Sequence, residues 1–130
     1  MSLERILCVE DDRSIQEVAR IALETVGGME VDIASSGQDA LQRVSDFNPD
    51  LILLDVMMPC MDGPETLTRL QEEELLGNTP VVFLTARTQK EEVAKYLELG
   101  AVGVIAKPFD PMTLAQQVRD IWAQVIEQRE

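Results

Sequence analysis

Leu51-Ile52-Leu53-Leu54-Asp55-Val56-Met57-Met58-Pro59-Cys60-Met61-Asp62-Gly63-Pro64 holds the transition that organises this chain. A short run of Leu and Ile reads as a strand covered on both faces. The run ends in a carboxylate, Asp55. Pro64 then opens an amphipathic stretch marked by Leu67 and Leu70, at a helical position where its missing N–H costs nothing. A buried strand that ends in an acid and hands over to a helix is the unit from which the rest of the sequence can be read.

The unit recurs on both sides. Apolar runs at Ile6–Val9, Val31–Ala34, Pro80–Leu84 and Val102–Ala106 read as further strands. Asp32 interrupts the second of these and marks it as a less buried edge. Ile15, Val18, Ala19, Ala22 and Val26 define a helical face ended by Gly27-Gly28, and Ala40, Leu41, Val44 and Phe47 define a second with Ser36 as its N-cap. Val93 and Leu97 mark a helix closed by Gly100, and Leu114, Val118, Ile121, Trp122 and Val125 mark the last, after Pro111. Strand and helix alternating in this way require right-handed crossovers between parallel strands, with helices on both faces of the sheet. The expected fold is α/β: a flavodoxin-like, doubly wound sheet of five parallel strands in order 2-1-3-4-5, with five helices. Ligands in such sheets bind beyond the carboxyl ends of the strands, at the switch point between strands one and three.

Composition removes several classes of function. The 130 residues are expected to form one domain, residues 1–130, with no output domain in this chain. Eleven Lys and Arg against 24 Asp and Glu give a net charge of −13, which repels nucleic acid and anionic membranes alike. No histidine is present, so Ser-His and Cys-His catalysis, His-containing zinc sites and a phosphohistidine of the chain's own are excluded. Cys8 and Cys60 form neither a disulfide framework nor a CxxC pair. With no signal peptide and no apolar run near the roughly 20 residues of a membrane helix, these thiols fit a reducing cytoplasm.

The strand ends carry the chemistry. Strand one runs into Glu10-Asp11-Asp12, strand three into Asp55, strand four into Thr85-Ala86 and strand five into Lys107-Pro108. Singly, each has an ordinary reading: an Asp as a helix cap, a Thr as a strand former, a Lys before Pro as a solvated loop charge. Jointly, they place Glu10, Asp11 and Asp55 in one crevice. Like charges a few ångströms apart repel by several kcal/mol at an effective dielectric near 20, so either a pKa rises or a hard divalent cation such as Mg²⁺ occupies the site. Lys107 and Thr85 add an ammonium and a hydroxyl around a carboxylate nucleophile, an arrangement suited to phosphoryl transfer onto Asp55.

Ile6 to Asp12, Leu53 to Pro59 with Asp62-Gly63, Leu84-Thr85-Ala86 and Lys107-Pro108-Phe109 together resemble the receiver domains of bacterial two-component response regulators, of the chemotaxis-receiver-like kind. The similarity spans essentially the whole chain. It implies that Asp55 is the phosphoacceptor and that Asp11 binds Mg²⁺ directly, with Glu10 acting largely through water. It implies further that Met57 offers only its backbone carbonyl to the metal and that Thr85 and Lys107 contact phosphoryl oxygens. On the same resemblance, Ala86 should leave room for the donor, the Lys107–Pro108 bond should be cis, and Asp12 should cap the first helix. Such a domain is not an enzyme beyond catalysing its own phosphorylation and dephosphorylation. Its partners are a histidine kinase or phosphotransfer protein and a downstream protein target or output domain. It is a monomer or a phosphorylation-dependent dimer.

One position departs from the family pattern. Many receivers carry Tyr or Phe three residues before the Lys; here the residue is Val104, which cannot make the same inward swing. A weaker or differently placed conformational response is therefore expected. Two rivals fit less well. A haloacid-dehalogenase-like phosphatase needs a general acid where Met57 stands, and a flavin phosphate would meet three carboxylates instead of donors. A constitutive interaction module would have no use for the full acidic, Thr and Lys set.

Overall fold

The computed structural model describes residues 2–129. Its strands are β1 (Arg5–Val9), β2 (Glu30–Ala34), β3 (Leu51–Asp55), β4 (Val81–Thr85) and β5 (Gly103–Ala106). All neighbours pair in parallel, in the order β2-β1-β3-β4-β5. The helices are α1 (Arg13–Arg20), α2 (Gly37–Phe47), α3 (Gly63–Glu72), α4 (Lys90–Glu98) and α5 (Leu114–Arg129). The expected doubly wound architecture is the one found, and β2, with half-buried Asp32, lies at an edge.

Strand residues alternate between two cores, as the period of two requires. Leu7, Val9, Ile52, Leu54, Val81 and Phe83 face one side and meet Ala40, Val44, Leu67, Leu70 and Tyr96 from α2, α3 and α4. Ile6, Cys8, Leu51, Leu53, Val82 and Leu84 face the other and meet Ala19, Ala22, Leu23, Leu114 and Val118. Burial on both faces explains why these strands read as continuous apolar runs.

Two helical faces differ from the sequence reading. After Arg20 the first helix continues as a π-helical segment, Ile21–Val26, in which the Gly27 N–H bonds the Ala22 carbonyl five residues back. The wider turn shifts the phase of the face. Within it Ala22 and Leu23 enter the core and Val26 is 42% exposed; in the regular turns before it Ala19 is buried and Val18 is 37% exposed. On α4, Leu97 is 46% exposed and Tyr96 is the buried anchor, its ring edge-on to Phe83 at 5.1 Å.

Local chemistry fixes the elements that carry the strand ends. Asp12 caps α1 by accepting from the Ile15 N–H, and Ser36 caps α2 by accepting from the Asp39 N–H. Asp62 caps α3 in the same way, with Pro64 in the first turn. At Gly63 a Cβ would stand 2.6 Å from the Asp55 carbonyl oxygen, so only glycine lets α3 begin this close to the end of β3.

Candidate functional site

Register brings the strand ends together. Val9 pairs with Leu54, Asp55 with Leu84 and Thr85 with Ala106, so β1, β3, β4 and β5 deliver their next residues to one rim of the sheet. Carboxylate oxygens of Glu10, Asp11 and Asp55 lie within 4.8 Å of one another. Glu10 and Asp55 are 1% and 2% exposed, whereas Asp11 faces solvent. The Lys107 ammonium enters from β5 and donates to Glu10 Oε1 at 3.0 Å and to Asp55 Oδ1 at 3.1 Å.

The charges perturb one another. Burial pushes the Glu10 carboxyl up to about 7, and the charge of Asp55 adds to the shift against the opposing pull of the Asp12 N–H and Lys107. Burial alone would lower the Lys107 pKa, but its bonds to Glu10 and Asp55 outweigh that and raise it. Beneath them the Cys8 thiol is pushed up to about 12, first by burial and then by the two carboxylates. Three acids against one ammonium leave a surplus of negative charge at the rim. Hard oxygen donors at this spacing, one of them open to solvent, fit a divalent cation of the Mg²⁺ type that keeps several waters.

The remaining predicted residues fall around this cluster. Thr85 is buried at the end of β4, where its hydroxyl accepts from the Arg87 N–H at 2.9 Å and keeps its own proton to donate. Met57 extends its side chain into solvent, 69% exposed. Lys107–Pro108 is cis. Ala86, Lys107 and Pro108 line an apolar groove of about 420 Å³ with Ile15, Val18 and Phe109. Val104 is not at the cluster: it is half-buried on β5 and packs on the core that contains Phe83 and Tyr96.

One residue at the site escaped the sequence reading. Gln16 donates from Nε2 to the Glu10 backbone carbonyl at 2.6 Å. A polar residue one turn beyond a helix cap carries no pattern that separates it from a solvated one.

The family described as response regulator receiver domain matches residues 6–119. The alkaline phosphatase synthesis transcriptional regulatory protein PhoP of Bacillus subtilis is 37% identical over 118 residues, covering 91% of this chain and 48% of its own length. The DNA-binding response regulator MtrA of Mycolicibacterium paratuberculosis is 39% identical over 116 residues, covering 89% and 50%. The chain thus spans about half the length of these relatives. Among solved structures, the Vibrio cholerae chemotaxis protein CheY4 superposes with a TM-score of 0.84 at 31% identity, over 92% of this chain and 99% of that one.

Proposed function

The chain belongs to the receiver domains of two-component response regulators, and from that premise we propose that it accepts a phosphoryl group on Asp55 from the phosphohistidine of a partner kinase or phosphotransfer protein. The observation that carries this reading is the Asp55 carboxylate, 2% exposed, with the Lys107 ammonium at 3.1 Å and two further acids beside it.

An Asp55 oxygen attacks phosphorus in line. The O–P bond forms as the donor's N–P bond breaks, and the imidazole nitrogen leaves with the electron pair. Charge spreads over the equatorial oxygens of a loose transition state, where positioned positive charge and donors do most of the work. Lys107 can move from its carboxylate partners to one such oxygen, and the Thr85 hydroxyl can donate to another. Glu10, Asp11 and Asp55, with the Met57 carbonyl, would hold Mg²⁺, which supplies further positive charge against the phosphoryl oxygens when bound. Ala86 leaves the approach to Asp55 open, and the apolar groove along Ile15, Val18 and Phe109 gives the donor protein a surface beside it. Water later cleaves the acyl phosphate, restoring the carboxylate and releasing inorganic phosphate. The catalysis serves the domain's own switch rather than turnover of another substrate.

The signal leaves by a shift in population between surface arrangements, biased by the new contacts of Thr85 and Lys107. The receiver of that signal is a downstream protein or an output domain. The proposed absence of direct nucleic-acid contact concerns these residues alone, on the ground of their charge of −13, and relatives named for DNA binding lend it no support. Replacement Asp55→Asn tests the assignment: labelling by acetyl phosphate in Mg²⁺ should disappear, and labelling at the wild-type rate would refute it.

A further inference from the structure

We propose that Gln16 is a positioning residue for the cation site, acting through the peptide that joins Glu10 to Asp11. The inference rests on reading Glu10, Asp11 and Asp55 as that site.

Among the described residues no hydrogen bond holds the Asp11 carboxylate, and its residue is exposed, so its direction follows from the backbone that carries it. That backbone is pinned on both sides of Glu10. The Glu10 N–H donates to the Ala34 carbonyl at 3.0 Å, and its carbonyl accepts from Gln16 Nε2 at 2.6 Å. The plane of the Glu10–Asp11 peptide is therefore set by a side chain six residues further along the chain. Gln16 is itself fixed. Its backbone N–H bonds the Asp12 carbonyl at 2.9 Å, in the first turn of the capped helix. Its amide also reaches Ser35 Oγ at 3.3 Å, and the Ser35 N–H donates to Asp39 Oδ2 at 3.0 Å. A carbonyl can only accept, so the atom facing Glu10 must be the amide nitrogen. Without this bond the peptide plane can rotate, and Asp11 loses its alignment with Asp55. Partners that orient ligating groups in this way commonly matter to metal affinity nearly as much as the ligands do.

Gln16→Met keeps length and helix propensity while removing both donors. Titration calorimetry with Mg²⁺ should show affinity about tenfold below wild type. Asp55 labelling at saturating Mg²⁺ should stay near the wild-type rate, and the metal-free melting temperature should be unchanged. Ser35→Ala, which removes only the longer bond, should change affinity by less than about twofold. Wild-type affinity in Gln16→Met, a loss that merely follows a lowered melting temperature, or an equal loss in Ser35→Ala would each overturn the proposal. A wild-type chain that takes up no Mg²⁺ would remove the reading of the site and this inference with it.

Discussion

Lys107 is the residue on which the electrostatics of the site turn. Among the described residues its ammonium is the one cation within bonding distance of both Glu10 and Asp55, two carboxylates with almost no exposure to water. Removing a partner from a buried pair leaves the other charge desolvated and unpaired. Lys107→Met should therefore destabilise the metal-free protein by about 1–3 kcal/mol, the cost of stranding such groups. Because the repulsion among the remaining acids is what a divalent cation relieves, Mg²⁺ should recover much of the loss. Denaturant melts of both proteins with and without Mg²⁺ check this; a Lys107→Met protein as stable as wild type without metal would contradict it.

At the scale of elements, the joint between β3 and α3 bears most directly on Asp55. Gly63 donates its N–H to the Val56 carbonyl at 2.9 Å, and its α-carbon faces the Asp55 and Val56 backbone. A methyl group there would meet the Asp55 carbonyl oxygen at 2.6 Å, with backbone rather than a flexible side chain in the way. Gly63→Ala should cost about 1–3 kcal/mol by overpacking and slow Asp55 labelling as the carboxylate shifts. Unchanged stability and labelling would show that the joint has slack.

The same scale shows what a sequence can and cannot reveal. The strands were legible because burial on both faces leaves no polar residue to interrupt runs such as Leu51–Leu54. Ser36 at a helix start was legible because capping selects its hydroxyl. The face of the first helix was not, because the π-helical segment at Ile21–Val26 displaces the period on which such a reading depends. Val26 then turned outward and Leu23 inward. On α4 the apolar spacing points to Leu97 while Tyr96 is the buried residue, since a one-residue rotation of a short helix leaves no mark in that spacing. At the strand ends the acids, Thr85 and Lys107 could be placed from topology alone. Gln16 could not, because its partner is a backbone carbonyl, which every residue has.

Across the whole molecule, a phosphoryl group at one rim has to alter a distant surface. In many receivers an aromatic residue on the last strand moves with the threonine. Here Val104 stands at that place, half-buried, paired with Phe83 across β4 and β5 and packed on the core that holds the Phe83–Tyr96 contact. A branched aliphatic, short and stiff at χ1, lacks the reach of a ring to swing between core and surface. The response to a phosphoryl mimic such as beryllofluoride should accordingly be weaker than in aromatic-bearing relatives, or centred elsewhere. Structures with and without the mimic decide it: the same Thr85 displacement and surface rearrangement as in those relatives would contradict the expectation.

All of this depends on Asp55 being the group that is modified. The chain should be incubated with acetyl phosphate and Mg²⁺, digested, and its peptides weighed by mass spectrometry. A single phosphoryl group is expected on the peptide that carries Asp55, absent when a chelator removes the metal. A phosphoryl group on another residue, or one acquired equally well without metal, would contradict it.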